Sequence, residues 1–160
     1  MATLQLDERQ QKIARVVVPA LAVGLALEAK TVAYNNYGPF SWGFLAVELA
    51  VALVGVLCTR FVPDLTQQGR DFATGLVPSQ QGLLWQVLCQ VPSVLASAAV
   101  VTALLSVVNV AIAPQVFFNS TVVDVPGSIV ACWLADVPTT FVVLLAVRLL
   151  LEGRGVAAED

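Results

Sequence analysis

Polar residues thin out along this chain to leave four apolar stretches, approximately Ile13 to Tyr34, Trp42 to Val62, Leu83 to Ala113 and Ser128 to Leu151. A helix rises about 1.5 Å per residue, so about 20 residues cross a hydrocarbon core of about 30 Å. Each stretch reaches that length, and the pattern predicts an all-α integral membrane protein of four transmembrane helices. The third is longer than a crossing requires, which predicts a tilt or ends that project beyond the bilayer. The first exceeds the apolar core of a signal peptide and runs through Glu28 and Lys30 with no small-residue cleavage site, so it reads as a retained helix.

Composition agrees with lipid as the main solvent. Hydrophobic residues make up 58% of the 160 positions and charged residues 12%, against about a quarter charged in soluble domains. The mean hydropathy is +0.84. Four spans leave room for one membrane domain, residues 1–160, and no large soluble one. Arg9, Lys12, Arg15, Arg60, Arg70, Arg148 and Arg154 fall to one side of the predicted spans and only Lys30 to the other. Lys and Arg accumulate in short cytoplasmic segments, so both termini are expected in the cytoplasm. Tyr34, Tyr37 and Trp42 then form an outer aromatic belt, with Trp85 near the inner interface.

The chain also shows signs of duplication. Pro19 precedes Asn36 by seventeen positions and Pro92 precedes Asn109 by the same interval, while Ala20 and Gly24 map onto Ser93 and Ser97. Glu48 precedes Arg60 by twelve positions, as Asp136 precedes Arg148. Two tandem hairpins follow, repeat one at 13–62 and repeat two at 83–151, joined by a cytoplasmic connection at 63–82. Each begins inside, so they form parallel repeats of one four-helix bundle, related by a pseudo-two-fold axis along the membrane normal.

The stretch Trp133-Leu134-Ala135-Asp136-Val137-Pro138-Thr139-Thr140-Phe141, followed by Leu145-Ala146-Val147-Arg148, resembles the second helix of an uncharacterised bacterial family of small two-helix membrane domains, a domain of unknown function. Those domains show an Asn near the end of the first helix, similar to Asn109 here, then a Trp and a Pro before a terminal Arg. The resemblance covers the second hairpin. It implies a hairpin fold and the bacterial inner membrane, and no activity. Glu48 and a second span without proline depart from the pattern.

Chemistry is confined to polar groups within the spans. With no histidine, three scattered cysteines and no CxxC, the chain offers neither a metal cluster nor a catalytic dyad. No nucleotide-binding loop or activated nucleophile is present, so the chain reads as no enzyme and as needing no cofactor. The connection from Pro63 to Gln81 lacks the dense basic cluster of a nucleic-acid site. Asn119-Ser120-Thr121 matches a glycosylation sequon, a pattern that arises often by chance.

A charged carboxylate within a span costs at least about 2.5 kcal/mol, so Glu48 and Asp136 are expected to point into the bundle at one depth. Glu28 shares a stripe with Ala20 and Gly24 and is expected inward too. Lys30 is expected to point elsewhere and snorkel to the interface. Glu28, Glu48, Asp136, Gln90 and Asn109 therefore outline a candidate polar pathway between the hairpins. In the bland alternative a protonated Asp136 bonds Gln90 or Asn109 and only packs the bundle. Pro19, Pro92 and Pro138 either kink their helices or free carbonyls to line a path.

Two functional classes remain open, a small transporter or channel-like protein and a non-transporting membrane interaction or accessory subunit. Four helices enclose little volume, so the first predicts a homodimer or a larger membrane complex. In the long outer connection Phe117 and Phe118 are expected to cover the outer mouth or anchor in the interface, with Asp124, Pro126 and Gly127 turning the chain into the fourth helix.

Overall fold

The computed structural model describes residues 7–35, 42–77, 82–112 and 125–153, all helical or in short turns between helices. Phe117, Phe118, Asn36, Asp124 and the sequon lie outside them. Helix α1 spans Glu8–Asn35. It starts earlier than its apolar stretch because Asp7 and Gln10 cap it reciprocally: the Gln10 amide donates to Asp7 Oδ1 at 2.7 Å and the Asp7 amide to Gln10 Oε1 at 3.0 Å. Helix α2 covers Trp42–Cys58 and tightens into a 3-10 turn at Thr59–Phe61.

A helix that hydropathy does not predict follows. Helix α3 runs from Thr66 to Leu76, within the stretch expected to be a plain connection. The Thr66 amide donates to Asp64 Oδ1 at 2.9 Å as it begins. Its Gly69 and Ala73 are buried, and a Cβ at Gly69 would overlap the Cys89 carbonyl. Only glycine allows this backbone approach.

Helix α4 covers Leu83–Ile112 and α5 covers Val125–Gly153. Gly82, with φ of +99°, supplies the left-handed residue that leads into α4. Pro126 and Gly127 do not precede α5 but lie in its first turn, where a missing N–H costs no helical hydrogen bond. The interior prolines Pro19, Pro92 and Pro138 interrupt none of the three helices that contain them. At about 1.5 Å per residue α4 is about 45 Å long, and α3 lies against it.

The four long helices form a closed ring: α1 beside α2, α2 beside α4, α4 beside α5, and α5 beside α1. Among the described residues the opposite pairs, α1 with α4 and α2 with α5, make no close backbone approach. Val23, Ala52, Ala98, Val101 and Leu105 form the centre. Small residues set the spacing. A Cβ at Gly55 would come within 3.2 Å of the Val101 backbone, and the Trp133 indole N–H reaches the Ala99 carbonyl across the α4–α5 seam at 2.9 Å.

The polarity of this bundle is inverted. Leu21, Leu25, Val54, Leu95, Leu134 and Val142 face outward, whereas Glu28, Glu48, Thr102, Ser106, Asn109 and Thr140 are buried. All four long helices are long and apolar enough to cross a membrane.

Candidate functional site

Helical spacing carries polar side chains from every long helix to one level of the ring. On α1 the positions Ala20, Val23, Gly24, Leu27 and Glu28 face inward, a stripe built on intervals of three and four. On α2 the stripe is Leu45, Glu48, Ala52 and Val56, and on α4 it is Val94, Ala98, Val101, Thr102, Leu105, Ser106 and Asn109. On α5 a strict four-residue step places Cys132, Asp136, Thr140 and Leu144 in one row.

Glu28 and Glu48 meet at the centre of this level. They are 3% and 1% exposed, and Glu48 lies in hydrogen-bonding contact with both Asn109 and Glu28. Asn109 can donate to a carboxylate, whereas two ionised carboxylates are both acceptors. The Glu28–Glu48 contact is therefore attractive only with a proton held between the two groups. Among the described residues Oε2 of each glutamate lacks a hydrogen-bond partner. Leaving such groups unpaired away from water costs about 1–3 kcal/mol each, and more when they are charged, so this level has the capacity to take up another donor.

Asp136 lies close enough for its charge to act on Glu48, but its partner is Lys30. The ammonium sits 2.6 Å from Asp136 Oδ1 and donates to the Ala135 carbonyl at 2.7 Å. The Cys132 thiol approaches Asp136 Oδ2 at 3.5 Å. The expectation that Lys30 points elsewhere is thus corrected. Lys30 is two residues from Glu28 and leaves α1 on a different side, and its long apolar stem brings the charge across the α1–α5 seam. Counted as ionised, Glu28, Glu48 and Asp136 face a single cation, Lys30, among the described residues of this cluster.

Gln90 is not part of it. Gln90 and Asn109 are nineteen residues apart on α4, about 28 Å along the axis, and the two cannot flank one carboxylate. Gln90 Nε2 instead donates to Glu152 Oε2, so of the two partners that the packing alternative gave Asp136, Gln90 or Asn109, Gln90 is engaged at the other end of the bundle. At that opposite end Arg148 reaches Ser93 Oγ at 3.2 Å and Glu152 Oε1 at 3.3 Å.

Five of these residues escaped sequence reasoning: Lys30, Cys132, Ser93, Ser106 and Glu152. Cys132 and Ser106 could have been found by stepping one turn from Asp136 and Asn109, whereas the side-chain reach of Lys30 leaves no periodic trace.

No protein-family model matches the chain, and no curated protein or solved structure does so either.

Proposed function

We propose that this protein is a multi-pass membrane protein that carries protons or small cations across the bilayer, with the Glu28–Glu48 pair as the binding group. The observation that carries this reading is the pair itself: two carboxyl groups from different helices, almost wholly enclosed, in contact with each other and each with an unpartnered oxygen. Ionisable groups inside a membrane bundle are costly, and proton relays use them. Asn109 supplies a neutral donor for Glu48, and the Lys30–Asp136 ion pair stands next to the site.

The inverted polarity of the ring supports insertion into lipid, since its apolar exterior would form large exposed patches in water. The asymmetry of Lys and Arg supports cytoplasmic termini, and the resemblance of the second hairpin supports a bacterial inner membrane. Parallel repeats are supported by the ring order. Pro19 and Pro92 lie on helices that face each other across the ring, as do Glu48 and Asp136, which is the placement a two-fold axis along the normal requires. A path through so small a bundle favours assembly as a homodimer.

The test is proton flux into proteoliposomes under an imposed potential, read with an internal pH dye. Wild type should acidify the lumen faster than empty vesicles. Glu48→Gln and Glu28→Gln should each abolish the difference while the protein stays folded by circular dichroism. A second reading, a non-transporting subunit, is favoured by the packed layer of Val23, Ala52, Ala98 and Val101, each 0% exposed, which closes the centre of the ring. Absence of flux together with recovery of a stoichiometric membrane partner would establish that reading instead.

A further inference from the structure

On each long helix the inward stripe leads from the carboxylate level through an apolar layer to a cavity. Eight positions separate Glu48 from Val56 and Asp136 from Leu144, about 12 Å of helix, and Val56 and Leu144 wall a cavity of about 230 Å³. Its polar lining is Arg15, Thr59, Ser97, Arg148 and Glu152. The Arg148 and Glu152 side chains are 40% and 33% exposed, so the space opens toward that end of the bundle. Water occupies about 30 Å³ per molecule in the liquid and is held by polar partners. The lining offers them: Thr59 and Ser97 donate to the Val56 and Ser93 carbonyls and keep lone pairs for water.

Between cavity and carboxylates, Val23, Ala52, Ala98 and Val101 are each 0% exposed. A metal cation crossing this layer would shed its water and gain no shell of oxygens in return, which is the cost of burying an isolated charge. Two hydroxyls interrupt the layer. Thr102 and Thr140 are also 0% exposed, and their hydroxyls are used differently. Thr102 donates to the Ala98 carbonyl at 2.6 Å, as helical threonines commonly do, whereas the Thr140 hydroxyl has no partner among the described residues. Thr140 stands four residues from Asp136 and four from Leu144, midway between the two levels. On α4 the row continues from Thr102 through Ser106 to Asn109, which meets Glu48.

We propose that this cavity is the aqueous entrance to the Glu28–Glu48 pair, and that the Thr140 and Thr102 hydroxyls pass protons, and no metal cation, across the layer between them. The inference rests on that pair acting as the binding group for transport, and it narrows the cargo from small cations to the proton. A hydroxyl carries both a donor and acceptor lone pairs. In each transfer its oxygen takes a proton from water on the cavity side while its own proton leaves toward the carboxylates, so the side chain ends unchanged and rotation of the O–H resets it. Packing that closes the ring to ions is thereby compatible with transport.

The test uses the full chain in proteoliposomes. Wild type should move protons and take up no radioactive sodium or potassium beyond the level of empty vesicles. Thr102→Val combined with Thr140→Val removes both hydroxyls at nearly constant volume and should slow proton flux at least about tenfold, since a positioned proton-transfer group contributes more than that. Thr102→Ser combined with Thr140→Ser, which keeps both hydroxyls, should retain the flux. In a cysteine-free background Ser97→Cys should react with a water-soluble thiol reagent and Val101→Cys should not, which tests the entrance even if the valine variant fails to fold. Unchanged flux in the valine variant, metal-cation uptake by wild type, or Ser97→Cys reacting no faster than Val101→Cys would each overturn the relay while leaving proton transport by the pair in place. Absence of proton flux in wild type would overturn both readings.

Discussion

Removing one partner of the Lys30–Asp136 pair should loosen the seam between α1 and α5. The charges are 2.6 Å apart, and their side chains are 27% and 15% exposed. At an effective dielectric of about 20 their gross attraction is about 6 kcal/mol, most of it offset by desolvation of the two ions. Deleting one partner leaves the other charge partly enclosed, and the expected loss is about 3 kcal/mol for Lys30→Met or for Asp136→Leu. The double variant replaces both charges with apolar groups of similar size and should be no less stable than either single one. A double-mutant cycle on unfolding in mixed micelles should therefore give a coupling of about 3 kcal/mol. Cys132 offers an independent readout, since it is buried beside Asp136. A thiol reagent should modify it faster in each single variant than in wild type. Additive losses within about 0.5 kcal/mol, with Cys132 labelling unchanged, would refute the view that this pair ties the seam.

Three other outcomes are expected. Gly69→Ala should cost about 1–3 kcal/mol and speed labelling of Cys89, because the added methyl meets the Cys89 carbonyl; Gly75→Ala, with nothing near its added methyl, should be neutral or stabilising by up to about 1 kcal/mol. Hydrogen bonds from the Thr66 hydroxyl and amide, aided by Arg70, hold the Asp64 carboxyl below the usual carboxylate range. A depressed folded pKa gives stability that is present above the unfolded value and lost as pH falls through the folded one, so α3 should fray in acid, by amide exchange, and Asp64→Asn should remove that dependence. In right-side-out vesicles of a cysteine-free background, an impermeant maleimide should label a cysteine placed at Val125 and not one placed at Thr74, and the reverse pattern would invert the proposed orientation.

What was legible in the sequence divides by the range of the interaction responsible. The four long helices follow from the length of the apolar runs alone, each long enough to cross a membrane as a helix. The inward placement of Glu28 and Glu48 follows from the cost of turning a carboxyl toward lipid, a property of single residues and their helical stripe. Helix α3 was not legible in this way. Its contact surface is Gly69 and Ala73, residues with almost no apolar area, and its docking depends on backbone shape at Cys89 on another helix. Lys30 escaped for a related reason: its backbone position points away from Glu28, and only the length of its side chain carries the charge to Asp136. Gln90 shows the opposite error. Polarity within an apolar stretch placed it with the carboxylates, yet its position on α4 separates it from Asn109 by about 28 Å along the axis. Arg148 served in the sequence as a marker of orientation, of the repeat and of the family resemblance, and its contacts with Ser93 and Glu152 left no trace there. In a bundle of this kind depth and helical face together decide which polar groups meet. Residues that share a depth and face inward, such as Glu28 and Glu48, form a site, whereas residues at different depths, such as Asn109 and Gln90, do not meet.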